Sequence, residues 1–81
     1  MFPDLRPFQL VGTIDSPYSA KHYISTSPGW GYTIGLVVGP YTDCDGKVHE
    51  AAFGIDGGEG MQWGGMTLEM AERWLKHYGV K

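Results

Sequence analysis

The side chains with chemistry to offer are three histidines, one cysteine and nine carboxylates. His22, His49 and His77 share no metal-ligand spacing, and a lone cysteine excludes an internal disulfide and the usual zinc sites. Cys44 lies between Asp43 and Asp45, an electrostatic setting opposite to that of a reactive thiolate, so no Cys–His hydrolytic pair is expected. Asp43-Cys44-Asp45-Gly46 has the alternating acids and glycine of a calcium loop. However, Tyr41 occupies the first ligand position and Ala52 the closing glutamate position, which leaves a hairpin turn. The stretch Gly57-Gly58-Glu59-Gly60-Met61-Gln62-Trp63-Gly64-Gly65 precedes a helix, where phosphates bind. It contains no Lys, Ser or Thr, and Asp56 and Glu59 repel anions, so it reads as a crossover that carries Met61 and Trp63 back over the core. No paired acid/base signature is present. No catalytic residue, metal ligand or cofactor is assigned.

Charge and aromatic placement carry more information. Between Asp43 and Glu72 there are seven acidic residues (Asp43, Asp45, Glu50, Asp56, Glu59, Glu69, Glu72) and one basic residue, Lys47. Such a segment attracts a basic partner and repels nucleic acid, while also serving solubility. Trp30 and Trp63 are set among glycines, and each reads either as a lid folded on the core or as a contact anchor. Tyr18, Tyr23 and Tyr41 extend that surface, and Trp and Tyr dominate binding hot spots because they bury much area with few rotors. Trp74 is assigned to the core.

The elements that position these residues are legible to different degrees. Two β-rich runs, Tyr32–Gly39 and Lys47–Ile55, flank Asp45-Gly46, the preferred two-residue hairpin turn. That turn predicts Val38 opposite Phe53, Leu36 opposite Ile55 and Pro40 opposite Ala51 on one side of the sheet. The other side then pairs Val37 with Gly54, Gly39 with Ala52 and Gly35 with Asp56. His49 falls on the apolar side, and Pro40, which cannot donate to a ladder, marks a bulge or open edge. Leu68, Ala71, Trp74, Leu75 and Tyr78 recur at helical spacing, with Thr67 as N-cap and Gly79 as C′ residue, which predicts a helix over Leu68–Tyr78. Phe8–Ile14 reads as a strand and Lys21–Ser25 as a short strand or irregular segment. The expected fold is α+β: one domain over residues 1–81, a three- or four-stranded antiparallel sheet with the C-terminal helix packed on it.

Composition agrees with a folded globule: 42% hydrophobic and 19% charged residues, with 14% aromatics. The nearly apolar run Gly31–Tyr41 is about half the length of a membrane-spanning helix, and no secretory signal is visible, so a soluble cytoplasmic protein is expected. In size and element order the chain resembles small single-domain inhibitors encoded by phages and mobile elements, anti-CRISPR proteins among them. Trp63-Gly64-Gly65-Met66-Thr67-Leu68-Glu69, leading into the helix, is reminiscent of that group. The resemblance implies a non-enzymatic inhibitor that occupies a basic nucleic-acid-binding surface of a host defence complex. Asp43, Asp45, Glu50, Asp56 and Glu59 would steer association, and Trp30, Trp63 and Tyr41 would anchor it, the protein acting as a monomer or homodimer. Two other readings compete. One is a single-strand nucleic-acid binder stacking bases on Tyr18, Lys21, His22, Tyr23 and Trp30. The other is a small-ligand module with a pocket beside Gly35, Gly39 and Gly54, a face whose glycines would otherwise let the helix approach closely.

Overall fold

The computed structural model describes residues 4–14, 19–29 and 31–81. Among the described residues five strands precede one helix: β1 (Gln9–Ile14), β2 (Ala20–Thr26), β3 (Thr33–Thr42), β4 (Val48–Asp56), β5 (Gln62–Met66) and α1 (Leu68–Tyr78). All neighbours are antiparallel and the strands lie in chain order, so the sheet is a meander. The fold is α+β as expected, but with five strands instead of three or four. The additional strand is β5, drawn from the glycine-rich stretch. Its pairing runs from Ala51↔Met66 to Ile55↔Gln62, so tertiary pairing overrides the poor strand preference of Gly64 and Gly65.

Helix α1 has the predicted bounds for the predicted reasons. The Thr67 hydroxyl accepts from the Met70 amide at 3.2 Å, and Gly79, at φ +81°, donates its amide to the Leu75 carbonyl at 2.8 Å.

From Gly35 to Val38 and from Ala51 to Ile55 the β3–β4 hairpin keeps its predicted sides but not its predicted register. Leu36 faces Phe53 and Val38 faces Ala51, two residues along from the register that an Asp45-Gly46 turn would set. A shift of two preserves which side each residue occupies. The displacement has two causes. First, the connection is longer than two residues. The Asp43 amide donates to the Lys47 carbonyl at 2.9 Å, and the Asp43 carboxylate accepts from the Asp45 and Lys47 amides, each at 2.9 Å. Second, the ladder is interrupted between Val38 and Tyr41, where Gly39 takes φ +131° and Pro40 offers no donor.

The two sides of the sheet are filled differently. On one, Leu5, Phe8, Tyr23, Ile34 and Leu36 are buried, with Val38, Phe53, Met66, Trp74, Leu75 and Tyr78 packed against them. Helix α1 covers this side, with the Phe53 and Trp74 rings 5.1 Å apart and Phe8 edge-on to Tyr78 at 5.7 Å. The chain end locks Phe8 in place: its amide donates to the Gly79 carbonyl and its carbonyl accepts from the Lys81 amide, at 2.9 and 2.8 Å. On the other side a smaller cluster of Ala20, Val37 and Ala52 is buried beneath Tyr41 and Trp63.

Candidate functional site: the helix-free sheet face

The glycines of the sheet create a trough for one indole. A Cβ on Gly35 would stand 2.7 Å from Trp63 Cη2, and one on Gly54 would stand 2.8 Å from Trp63 Cε3 and 2.7 Å from Met61 Sδ. Gly54 is also the ladder partner of Trp63, so the ring lies back across β4 and β3. The helix therefore packs on the side of the larger apolar residues, and the glycine-bearing side receives Trp63 and Met61 instead. The pocket expected beside Gly35, Gly39 and Gly54 is filled. Gly39 is closed separately, since a Cβ there would press on the Ala20 side chain at 3.0 Å.

Around Trp63 the side chains form a continuous line of contacts across four strands. The Asp43 carboxylate meets His49 Nε2 at 2.8 Å. His49 stacks on Tyr41 with ring centroids 6.3 Å apart and 27° between the planes. Tyr41 reaches Trp63 at 6.4 Å, and His22 meets Trp63 edge-on at 5.6 Å. All five are partly exposed. The indole is thus both lid and surface: one side seals Val37 and Ala52, and the ring is not interred.

His49 does not stand with Val38 and Phe53 as expected. Its imidazole lies over Gly65, where a Cβ would overlap the ring, because the irregularity at Gly39–Pro40 twists the hairpin tip toward the other side. The bond to His49, reinforced by the Lys47 and Asp45 amides, holds the Asp43 carboxyl below the ordinary carboxylate range. Burial pushes the His22 imidazole down, and its Nε2 is buried without a hydrogen-bond partner among the described residues. Cys44 is exposed in the hairpin loop, and among the described residues no group of three or more His, Cys, Asp and Glu side chains is placed to hold a metal ion.

Of the residues singled out from sequence, Tyr41, Asp43 and Trp63 belong to this line of contacts. Asp45 is exposed in the same loop as Asp43, and Glu50 is exposed on β4 beside His49. Asp56 and Glu59 are elsewhere: β4 separates them from the hairpin loop by about 26 Å at ordinary strand rise. The five carboxylates assigned to steering are therefore two groups at opposite ends of the sheet, while Glu69 and Glu72 lie on α1. Asp43 and Asp56 also share a structural task, since Asp56 accepts from the Gly58 and Gly60 amides at 2.8 and 3.2 Å and so shapes the β4–β5 loop. Trp30 lies outside the described residues.

The stacking platform Tyr18, Lys21, His22, Tyr23 and Trp30 does not assemble as one surface. His22 and Tyr23 are successive residues of a strand and so face opposite sides. Tyr23 is 9% exposed, within the helix-side core. Tyr18, like Trp30, lies outside the described residues. Sequence reasoning missed His22 as a neighbour of Trp63, which depends on β5, the strand it did not foresee, and missed His49 as the ladder partner of Tyr41, which depends on the shifted hairpin register.

Comparison with protein-family models, with characterised protein sequences and with solved structures finds no match. Among the described residues no helix is long and apolar enough to cross a membrane.

Proposed function

We propose that this chain is a non-catalytic binding protein whose helix-free sheet face docks on a basic surface of a partner protein. The observation that supports this reading is the Trp63–Tyr41 pair, half-buried on the sheet face opposite α1 and linked through His49 to Asp43, with Asp45 and Glu50 exposed close by in the chain. An aromatic pair already seated on glycine and alanine has little freedom left to lose on binding, which is the property of a contact anchor. The neighbouring carboxylates steer a basic partner and set the association rate, while the rings set residence time. In its finer form the proposal is inhibition: a basic surface covered by this face is no longer open to nucleic acid, as the resemblance to phage-encoded inhibitors implies.

The test compares variants in affinity capture from an extract of the source cell, read by mass spectrometry. A partner retained by the wild type is expected to be lost with Trp63→Ala and weakened with Asp45→Lys/Glu50→Lys in a salt-sensitive way. A hot-spot truncation costs on the order of 2 kcal/mol, about thirtyfold in affinity. Equal capture by Trp63→Ala and the wild type contradicts the proposal.

A further inference from the structure

Among the described residues β5 has a neighbour on one side alone, β4. Natural edge strands are protected from new pairing by proline or by charge, above all lysine. From Gln62 to Met66 there is neither, and Gly64 leaves the backbone bare, while Gly65 lies under the His49 imidazole. Against the same strand, on the helix side of the sheet, lies a shallow depression of about 540 Å³ lined by Phe53, Ile55, Glu59, Gln62 and Gly64 among others. Its apolar part is Phe53 and Ile55, the latter 44% exposed.

The charge around this edge is mostly negative, with Lys47 and Arg73 at the borders of the stretch. Residues 48–72 hold five carboxylates (Glu50, Asp56, Glu59, Glu69 and Glu72) and no Lys or Arg. Asp56 and Glu59 precede β5. Glu50 neighbours Ala51, the ladder partner of Met66 at the other end of β5, and Glu69 follows in α1, where it pairs with Arg73 at 2.9 Å. A second copy added antiparallel along β5 would bring the acidic ends of two chains together, which disfavours self-pairing. The opposite edge, β1, has fewer carboxylates in the flanking sequence, Asp4 and Asp15, with Arg6 between Asp4 and the strand.

We infer that β5 is a strand-addition site for an extended, basic segment of the partner. Main-chain pairing to β5 supplies affinity, and alternate side chains enter different environments. On one side an apolar side chain fills the depression over Phe53 and Ile55. On the other a Lys or Arg lies beside the Trp63 ring, where a cation is attracted to an indole face. Basic residues at the segment ends meet Asp56 and Glu59 at one end and Glu50 at the other. The inference rests on the basic-partner reading above and adds to it the conformation and the edge used.

The probe is a dye-labelled, end-capped hexapeptide of alternating Lys and Val, titrated by fluorescence anisotropy against the intact protein at low and high salt. Binding is expected, weakened about tenfold by N-methylating alternate peptide amides and by Glu59→Lys, and unchanged in Leu10→Lys on β1. The β5 amides should become protected from hydrogen exchange on binding. Equal binding of the N-methylated peptide overturns the inference, because attraction would then be charge alone. No binding of the peptide, with a partner still captured in a Trp63-dependent way, also overturns it while leaving the proposed function standing. If capture is independent of Trp63 as well, both fall.

Discussion

Trp63 is seated where it is because Gly54 has no side chain, and that relation is measurable. A Cβ at Gly54 falls 2.8 Å from Trp63 Cε3 and 2.7 Å from Met61 Sδ, against roughly 3.5–4.0 Å for relaxed contacts. Gly54→Ala therefore forces the ring and the thioether about 1 Å outward, and overpacking of this kind costs ~1–3 kcal/mol. Alanine in a strand recovers ~0.5–1 kcal/mol over glycine, so the net loss is about 1 kcal/mol. Truncating a core aromatic costs ~3–5 kcal/mol; half-burial brings Trp63→Ala to about 2 kcal/mol. In the Trp63→Ala background the overlap is largely relieved, since only the flexible Met61 remains, and Gly54→Ala is then expected to be neutral or mildly stabilising. The four proteins of this cycle, unfolded in urea, should show a coupling of about 1–2 kcal/mol. In heat the single Gly54→Ala variant should lose about 4–8 °C. Additivity of the two changes within ~0.5 kcal/mol refutes the seating of the indole on Gly54.

Other expectations follow from single contacts. Thr67→Ala removes the acceptor for the Met70 amide and should cost about 1 kcal/mol in urea unfolding, with Thr67→Ser retaining most of it. The Asp43 carboxyl titrates below its ordinary value when folded, so its stabilisation is whole above about pH 4 and is lost as pH falls through the folded value. Asp43→Asn should accordingly flatten the acid limb of a stability-versus-pH curve, and an unchanged limb removes the bond to His49 from the account. Burial disfavours the charged form of His22, so the unfolded chain binds that proton more readily and stability declines as pH drops below about 6.5. His22→Phe, which keeps an aromatic edge against Trp63, should be at least as stable as the wild type at neutral pH and lose that decline; a steeper decline contradicts it.

The parts of the fold that were legible in the sequence are those governed by local rules. Helix α1 could be placed to the residue because Thr67, Gly79 and the spacing of Ala71, Trp74 and Tyr78 all agree. The sides of β3 and β4 away from the hairpin tip were legible because alternation survives a shift of two, whereas His49 near the tip departs from its expected side. Their register was not, because the carboxylate of Asp43 closes a longer loop than Asp45-Gly46 alone signals, and because Gly39 and Pro40 interrupt the ladder. Strand β5 was illegible because Gly64 and Gly65 have poor strand preference and are held by pairing with β4. The site inherits this division. Tyr41, Asp43 and Trp63 were visible as residue types, but Tyr41 and Asp43 meet His49 through the shifted β3–β4 register, and Trp63 meets Tyr41 and His22 only because β5 folds back over Gly54 and Gly35. The sequence also made the carboxylates appear to be one segment, while the length of β4 sets them at two ends of the sheet.

The central claim is that the helix-free face is the working surface. Its most direct test is capture of one partner by Trp63→Ala and Tyr41→Ala, set beside Met70→Ala on the exposed side of α1. The account predicts that both aromatic variants, folded by circular dichroism, lose the partner while Met70→Ala retains it. Retention by the aromatic variants, or loss confined to Met70→Ala, contradicts it.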